Sequence, residues 1–211
     1  MIEIKHLPVR RGKVPLRIAQ GHFATNHSHI NYYIDITYQK TRLSEAKDSA
    51  YELVSHFIND TPVDTILCLD GTAVLGTCIA DELTKSGFRT INAHQTIYVV
   101  TPEFIGGGQM IFRDNLIPMV HNKHVLILAA SVTTGKTALA AVDAIKYYGG
   151  IVVGISAIFA TVEECDGHPV HSIFDPNDLG DYQSYKPHRC PICQRGEKIE
   201  ALVNSFGFSE L

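Results

Sequence analysis

The residues of this chain best suited to chemistry are Ser131, Val132, Thr133, Thr134, Gly135, Lys136 and Thr137. They follow the apolar run Val125-Leu126-Ile127-Leu128-Ala129-Ala130 and precede a helical pattern. A strand that enters a small, hydroxyl-rich, glycine-containing turn and leaves it as a helix aims several backbone N–H groups at one spot. That is a phosphate cradle. A second tight turn, Asp70-Gly71-Thr72, closes another apolar run at residues 65–69. A different chemistry stands near the C-terminus. Cys165 and His168 form one pair with two residues between them, and Cys190 and Cys193 form another. Three thiols and an imidazole at that spacing suit a tetrahedral zinc site, structural because no coordination position is left open. His171 or His188 could take the place of His168, and unrelated cytosolic thiols are the plainer alternative. The polar stretch at 161–189 gives a metal staple a purpose.

The elements that must position these residues follow from periodicity. Ser44 is a candidate N-cap for a helix with Ala46, Ala50, Leu53, Val54 and Phe57 on one face. Val74, Leu75, Cys78, Ile79 and Leu83 define a second helix, with Gly87 where a C-terminal cap belongs. Strands are expected at 65–69, 96–101, 125–130 and 151–159, and a helix at 137–148 stopped by Gly149-Gly150. Apolar strands alternating with amphipathic helices predict a parallel sheet covered on both faces. Ligands of such sheets bind beyond the carboxyl ends of the strands, where both turns fall. Residues 197–206, with Ile199, Leu202, Val203 and Phe206, read as a short amphipathic helix.

At 211 residues and 45% hydrophobic content, the chain can build one substantial α/β domain with an appendage. A net charge of −4 argues against broad nucleic-acid binding. No apolar run is long enough to span a bilayer, and residues 1–16 lack the apolar core of a signal peptide. The expectation is a cytoplasmic protein without nucleic-acid or membrane partners.

Two phosphate-binding families end a strand with such a turn. A nucleoside-triphosphatase loop also ends in Gly135-Lys136-Thr137, but it requires glycine where Ala130 stands, and no acid for magnesium follows at 151–159. The type I phosphoribosyltransferases fit better. Their signature is an apolar strand, two acids, two further small or apolar residues and Thr-Thr-Gly-x-Thr/Ser, and Thr133-Thr134-Gly135-Lys136-Thr137 matches it in place. Gly21-His22-Phe23 through Tyr32-Tyr33-Ile34-Asp35 resembles the N-terminal hood of orotate phosphoribosyltransferases. Residues 64–83 resemble their pyrophosphate loop and its helix, and 101–122 occupy the place of their mobile catalytic loop.

The resemblance implies a type I phosphoribosyltransferase-like parallel sheet flanked by helices. It divides the chain into a hood at 1–40, a core at 41–160 that binds phosphoribosyl pyrophosphate (PRPP), and a C-terminal Cys/His-containing appendage at 161–211. It implies transfer of phosphoribose from PRPP to a pyrimidine-like nucleobase with release of pyrophosphate, by a homodimer that uses Mg²⁺ with PRPP. Residues 131–137 would hold the 5′-phosphate and Asp70, Gly71 and Thr72 the pyrophosphate; Tyr33 or Tyr32 could stack on the base, strand alternation sending the other into the core. Arg113 is the one cation in the stretch 105–114 that corresponds to the mobile loop. The acids that bind the ribose hydroxyls are replaced by Ala129 and Ala130, and the hood lysine by Asn26. Charged hydrogen bonds contribute about 1.5–3 kcal/mol each. The alternative is therefore a regulatory protein that binds PRPP or a nucleotide without turning it over.

Overall fold

The computed structural model describes residues 2–7, 12–85, 91–93 and 95–211. The chain opens with β1 (Lys5–Leu7) and the paired strands β2 (Leu16–Ala24) and β3 (His29–Asp35). Helices α1 (Thr37–Thr41) and α2 (Leu43–Val54) lead to β4 (Thr65–Cys68), α3 (Ala73–Thr84) and β5 (Tyr98–Val100). A hairpin of β6 (Glu103–Ile105) and β7 (Gln109–Ile111) precedes β8 (His124–Val132), α4 (Lys136–Tyr147) and β9 (Ile151–Ala160). The remainder holds β10 (Glu164–Cys165), β11 (His168–Phe174), β12 (Ser184–Tyr185), α5 (Pro191–Gln194), β13 (Ala201–Asn204) and β14 (Gly207–Glu210).

The central sheet runs β10-β11-β9-β8-β4-β5, parallel throughout except for the edge strand β10. Strand alternation explains its two covered faces. Ile66, Cys68, Leu126, Leu128 and Ala130 pack into the core beneath α2 and α3. Leu67, Val125, Ile127 and Ala129 point the other way, into the core beneath α4. Helix α3 lies so close to β4 that a Cβ on Gly76 would stand 2.4 Å from Cys68 Sγ. α4 ends as expected, with Gly149 at φ +77° donating its N–H to the Lys146 carbonyl. The expected cap Gly87 lies outside the described residues. α2 starts one residue before Ser44, with Arg42 at the cap position and no side-chain cap bond.

A second sheet, β12-β3-β2-β13-β14 with β1 on the outer side of β2, sits over the carboxyl ends of the central strands. Here the sequence reading needs correction. Residues 197–206 are not a helix: β13 pairs parallel with β2 and antiparallel with β14. Ala201 and Val203 are buried while Leu202 and Asn204 are exposed, which is the alternation of a strand. A ten-residue helix without a cap is marginal, whereas the β2 edge supplies a ladder of hydrogen bonds. The segment after residue 160 is thus shared out: β10 and β11 extend the central sheet, and β12 to β14 complete the hood.

Hood and core are tied by a buried ion pair. Arg17 on β2 donates from both terminal nitrogens to the Glu45 carboxylate on α2, each at 2.8 Å, with Arg17 also 4.6 Å from the Tyr38 ring centre. The hydrogen bonds to Glu45 raise the Arg17 pKa further. Removing one member of a buried pair strands the other charge. Glu45→Ala should therefore lower unfolding free energy by about 3–5 kcal/mol in urea titrations. A loss below 1 kcal/mol would mean the pair contributes no more than a surface bridge.

Candidate functional site

A cleft of about 290 Å³ opens between the hood sheet and the carboxyl ends of β4 and β8. Three stretches of the chain form it. On the core side, β8 runs to Val132 and the turn passes through Gly135, whose φ of +70° is the left-handed conformation glycine adopts freely. The turn is braced from behind. The Thr161 N–H donates to the Val132 carbonyl (3.0 Å), Thr161 Oγ1 donates to the Thr133 carbonyl (2.8 Å), and Cys165 Sγ lies 3.7 Å from the Gly135 carbonyl. No side chain caps α4, so the N–H groups of its first turn have no side-chain partner at the cap.

The second stretch is the turn after β4. Asp70 and Gly71 both adopt positive φ, +55° and +75°. Thr72 then uses its hydroxyl structurally, donating to the carbonyls of Leu69 (2.7 Å) and Leu128 (3.2 Å). Burial pushes the Asp70 carboxyl above its ordinary pKa, while hydrogen bonds from Ser205 and the Ala130 N–H and the charge of Lys40 pull it back. Lys40, itself buried, donates to the carbonyls of Asp70 (3.0 Å) and Ser205. Its burial lowers its pKa, against the opposing attraction of Asp70 and Asp35.

The third stretch is the hood. Tyr33 packs edge-on against Phe23 and Phe208, and burial pushes its hydroxyl to about 12. The Tyr32 hydroxyl donates to Asp181 at 2.5 Å. The turn at 25–28 is held by Thr25, whose Oγ1 accepts from the Ser28 N–H and donates to its carbonyl.

Of the expected ligand-binding residues, Asp70, Ser131, Thr133, Thr134, Thr137 and Tyr33 line this cleft. Val132 does not; it is buried in the core under α4. Gly71 and Gly135 shape their turns, Thr72 is consumed by backbone carbonyls, and Lys136 is exposed at the start of α4. Arg113 is not brought to the cleft. It is exposed beside the β6–β7 hairpin and bonded through two nitrogens to Glu103, each at 2.7 Å. Ala129 and Ala130 are buried in β8, one in each core layer. Sequence reading missed Asn204, Ser205 and Tyr182, which line the opposite wall. Asn26, which stands in place of the hood lysine, lines the cleft together with His27 and Ser28.

The expected metal ligands are also redistributed. Cys190 and Cys193 converge with His22 and His29, the four ligand atoms lying within 4.8 Å of one another. Cys165 and His168 are elsewhere, opposite each other in the β10–β11 ladder with Cys165 against the phosphate turn. His171 stacks on His56, ring centres 4.2 Å apart, and His188 lies in a short turn before Cys190. Spacing alone could not show this grouping, because His22 and His29 lie on strands at the other end of the chain.

The parallel sheet, its hooded carboxyl end and the strand–turn–helix at β8 define the type I phosphoribosyltransferase fold. No family model matches the chain. The chain is 24% identical over 188 residues to the orotate phosphoribosyltransferase of Chlorobium phaeobacteroides, spanning 87% of this chain and 88% of that enzyme. Among solved structures it is similar to an orotate phosphoribosyltransferase of Mycobacterium tuberculosis H37Rv (20% identity, TM-score 0.52, covering 79% of this chain and 93% of that one). It is also similar to an adenine phosphoribosyltransferase of Thermoanaerobacter pseudethanolicus (18% identity, TM-score 0.52, covering 68% and 88%). The chain has this fold and resembles orotate phosphoribosyltransferase.

The raised pKa of Asp70 carries a stability consequence. A carboxyl that binds its proton more tightly when folded loses stability as pH rises from the unfolded value, about 3.9, through the folded one. Asp70→Asn keeps an acceptor for Ser205 and the Ala130 N–H but cannot ionise. The variant should be more stable than the parent at neutral pH, and the difference should shrink towards pH 3–4 in thermal melts. An unchanged difference across that window would show that Asp70 titrates normally.

Proposed function

We propose that this chain binds PRPP and transfers its 5-phosphoribosyl group to a pyrimidine-like base, releasing pyrophosphate, in nucleotide biosynthesis or salvage. The observation that carries the reading is the convergence of the phosphate turn, the Asp70–Gly71 turn and the hood tyrosines on one cleft. The 5′-phosphate belongs on the N–H groups of the α4 first turn and on the hydroxyls of Thr133, Thr134 and Thr137. Pyrophosphate would lie along the backbone of Asp70 and Gly71, and the base under the hood beside Tyr33. A ring nitrogen of the base forms a bond to the anomeric carbon as the bond to pyrophosphate breaks. The developing positive charge on the sugar calls for positioning and electrostatics rather than a protein nucleophile.

Magnesium fits as a companion of the substrate rather than a resident ion. Asp70 is the only carboxylate among the described residues lining the cleft, and magnesium bound through one or two carboxylates and substrate phosphates needs no more. Such an ion would neutralise pyrophosphate oxygens. For Arg113 to reach the leaving group, the β6–β7 hairpin must swing and its pair with Glu103 must open. Arg113→Ala should then lower kcat and Glu103→Gln should raise it. The reading also makes the protein a cytoplasmic homodimer; among the described residues no helix is long and apolar enough to cross a membrane. The exposed Phe104 and Ile105 are the side chains a dimer would cover, which sedimentation velocity can check.

A second reading is favoured by one observation. Ala129 and Ala130 are buried methyl groups, so β8 offers the ribose hydroxyls no carboxylate. Losing two charged hydrogen bonds, at about 1.5–3 kcal/mol each, can reduce turnover by orders of magnitude and leave a PRPP- or nucleotide-binding regulator.

Calorimetric titration with PRPP and Mg²⁺, followed by a pyrophosphate-release assay with orotate, uracil and purines, separates the two. Release with a pyrimidine supports the enzyme; binding without release from any base supports the regulator; neither binding nor release sinks both. Thr134→Trp should weaken PRPP and ribose 5-phosphate binding at least a hundredfold, about 2.7 kcal/mol. Unchanged affinity would remove the phosphate-turn assignment.

A further inference from the structure

We propose that His22, His29, Cys190 and Cys193 bind a single zinc ion, which clamps the C-terminal turn onto the hood and fixes the hood loop that lines the cleft. The proposal is independent of the reaction. Zinc held tetrahedrally at about 2.0–2.1 Å from nitrogen and 2.3 Å from sulfur sets the ligand atoms about 3.4 Å apart for two nitrogens and about 3.6 Å for nitrogen and sulfur. The structure gives 3.2 Å between His22 Nε2 and His29 Nδ1. Cys190 Sγ and Cys193 Sγ lie 3.5 and 3.6 Å from His22 Nε2, and Cys193 Sγ lies 3.2 Å from His29 Nδ1. Four of the six edges of a tetrahedron thus fall close to the zinc values, and the remaining two lie within 4.8 Å.

The surroundings prepare the ligands. His22 Nδ1 stands 3.1 and 3.2 Å from the carbonyls of Glu197 and Lys198, acceptors that hold the ring proton on Nδ1. Nε2 is then left with its lone pair directed at the other three ligands, the arrangement that orients metal-bound histidines. His22 sits where β2 is bulged between Gln20 and Phe23, a distortion that re-aims a side chain. Its N–H donates to Glu200 Oε1 (2.9 Å), and its carbonyl accepts from the Glu200 N–H (2.8 Å). Both cysteines are free, Cys190 capping the single turn α5 and Cys193 within it. Two nitrogens and two sulfurs select zinc over the hard, oxygen-seeking cations, and four protein ligands make the site structural.

The placement gives the ion its role. His22 and His29 lie on β2 and β3 on either side of residues 25–28, all four of which line the cleft. Cys190 and Cys193 precede β13, which ends in Asn204 and leads to Ser205 on the same cleft. One ion thus joins two walls of the cleft that are far apart in sequence.

The full chain, purified without chelator, should carry one zinc per chain by mass spectrometry of the metal. Exchange into Co²⁺ should give the intense visible absorption of tetrahedral cobalt together with thiolate charge transfer. The double variant C165S/H168Q should retain full occupancy, while His29→Ala and Cys193→Ser should lose most of it. Removing the metal should speed hydrogen exchange across residues 22–29 and 190–204 but not across α4. Metal-free protein that gives only the weak absorption of octahedral cobalt overturns the proposal, as does a Cys190–Cys193 disulfide in the purified chain. Loss of zinc in C165S/H168Q with retention in His29→Ala overturns the ligand assignment. If the ligand variants do not fold, the cobalt spectrum of the parent protein still decides, because the intensity of its charge-transfer band scales with the number of thiolates bound and must correspond to two.

Discussion

The cleft depends on the buried ammonium of Lys40. Its Nζ donates to the carbonyls of Asp70 and Ser205 and stands 5.5 Å from the ring of Phe206. One cation therefore joins the turn after β4, the turn between β13 and β14, and the short helix α1 that links hood to core. Burying an ammonium is costly, by several kcal/mol if it were isolated, and it persists here because carbonyl dipoles and the nearby Asp70 offset that cost. The same interaction explains the opposed shifts at the two groups. Burial disfavours both charges, lowering the pKa of Lys40 and raising that of Asp70, while their mutual attraction works against each shift. Because three backbone segments converge on this one atom, the walls of the cleft are coupled through it.

Strand β8 has to satisfy two demands. Its first half is a core strand between β4 and β9, and its end must present a phosphate turn. Ala129 and Ala130 fall where those demands meet, each filling a different core layer. A carboxylate at either position would need water or a cation to replace the hydration it loses. The bracing of the turn from Thr161 and Cys165 is unaffected, since it acts on the backbone beyond the alanines.

What could be read from the sequence was what local pattern encodes. The apolar runs of β4, β8 and β9, the helices α3 and α4 and the two turns emerge from periodicity and glycine placement alone, because both faces of the sheet are covered. The hood's C-terminal half was not legible. Ile199, Leu202, Val203 and Phe206 fit a helical spacing, and nothing nearby shows that β2 has an edge to offer. The Cys/His grouping was hidden for the same reason: Cys190 and Cys193 announce themselves by spacing, but the histidines they converge with lie in a strand pair at the other end of the chain. The site divides likewise. Backbone-built parts such as the glycine turn between β8 and α4 were visible, whereas the fates of the Thr72 hydroxyl and the Arg113 guanidinium were set by tertiary partners, the Leu69 and Leu128 carbonyls and Glu103.

The charge inventory of the cleft constrains any ligand. Among the described residues that line it there is one carboxylate, Asp70, and no lysine or arginine. Lys40 lies just behind, but two carbonyls already occupy it. A phosphorylated ligand would therefore meet backbone N–H groups, threonine hydroxyls and a helix N-terminus, which carries only about half an elementary charge. That suffices for a monophosphate and falls short of compensating a further pyrophosphate. The balance must come from a cation that travels with the ligand or from a side chain outside the cleft, and a protein built this way would hold a simple sugar phosphate without help and a pyrophosphorylated one only in company.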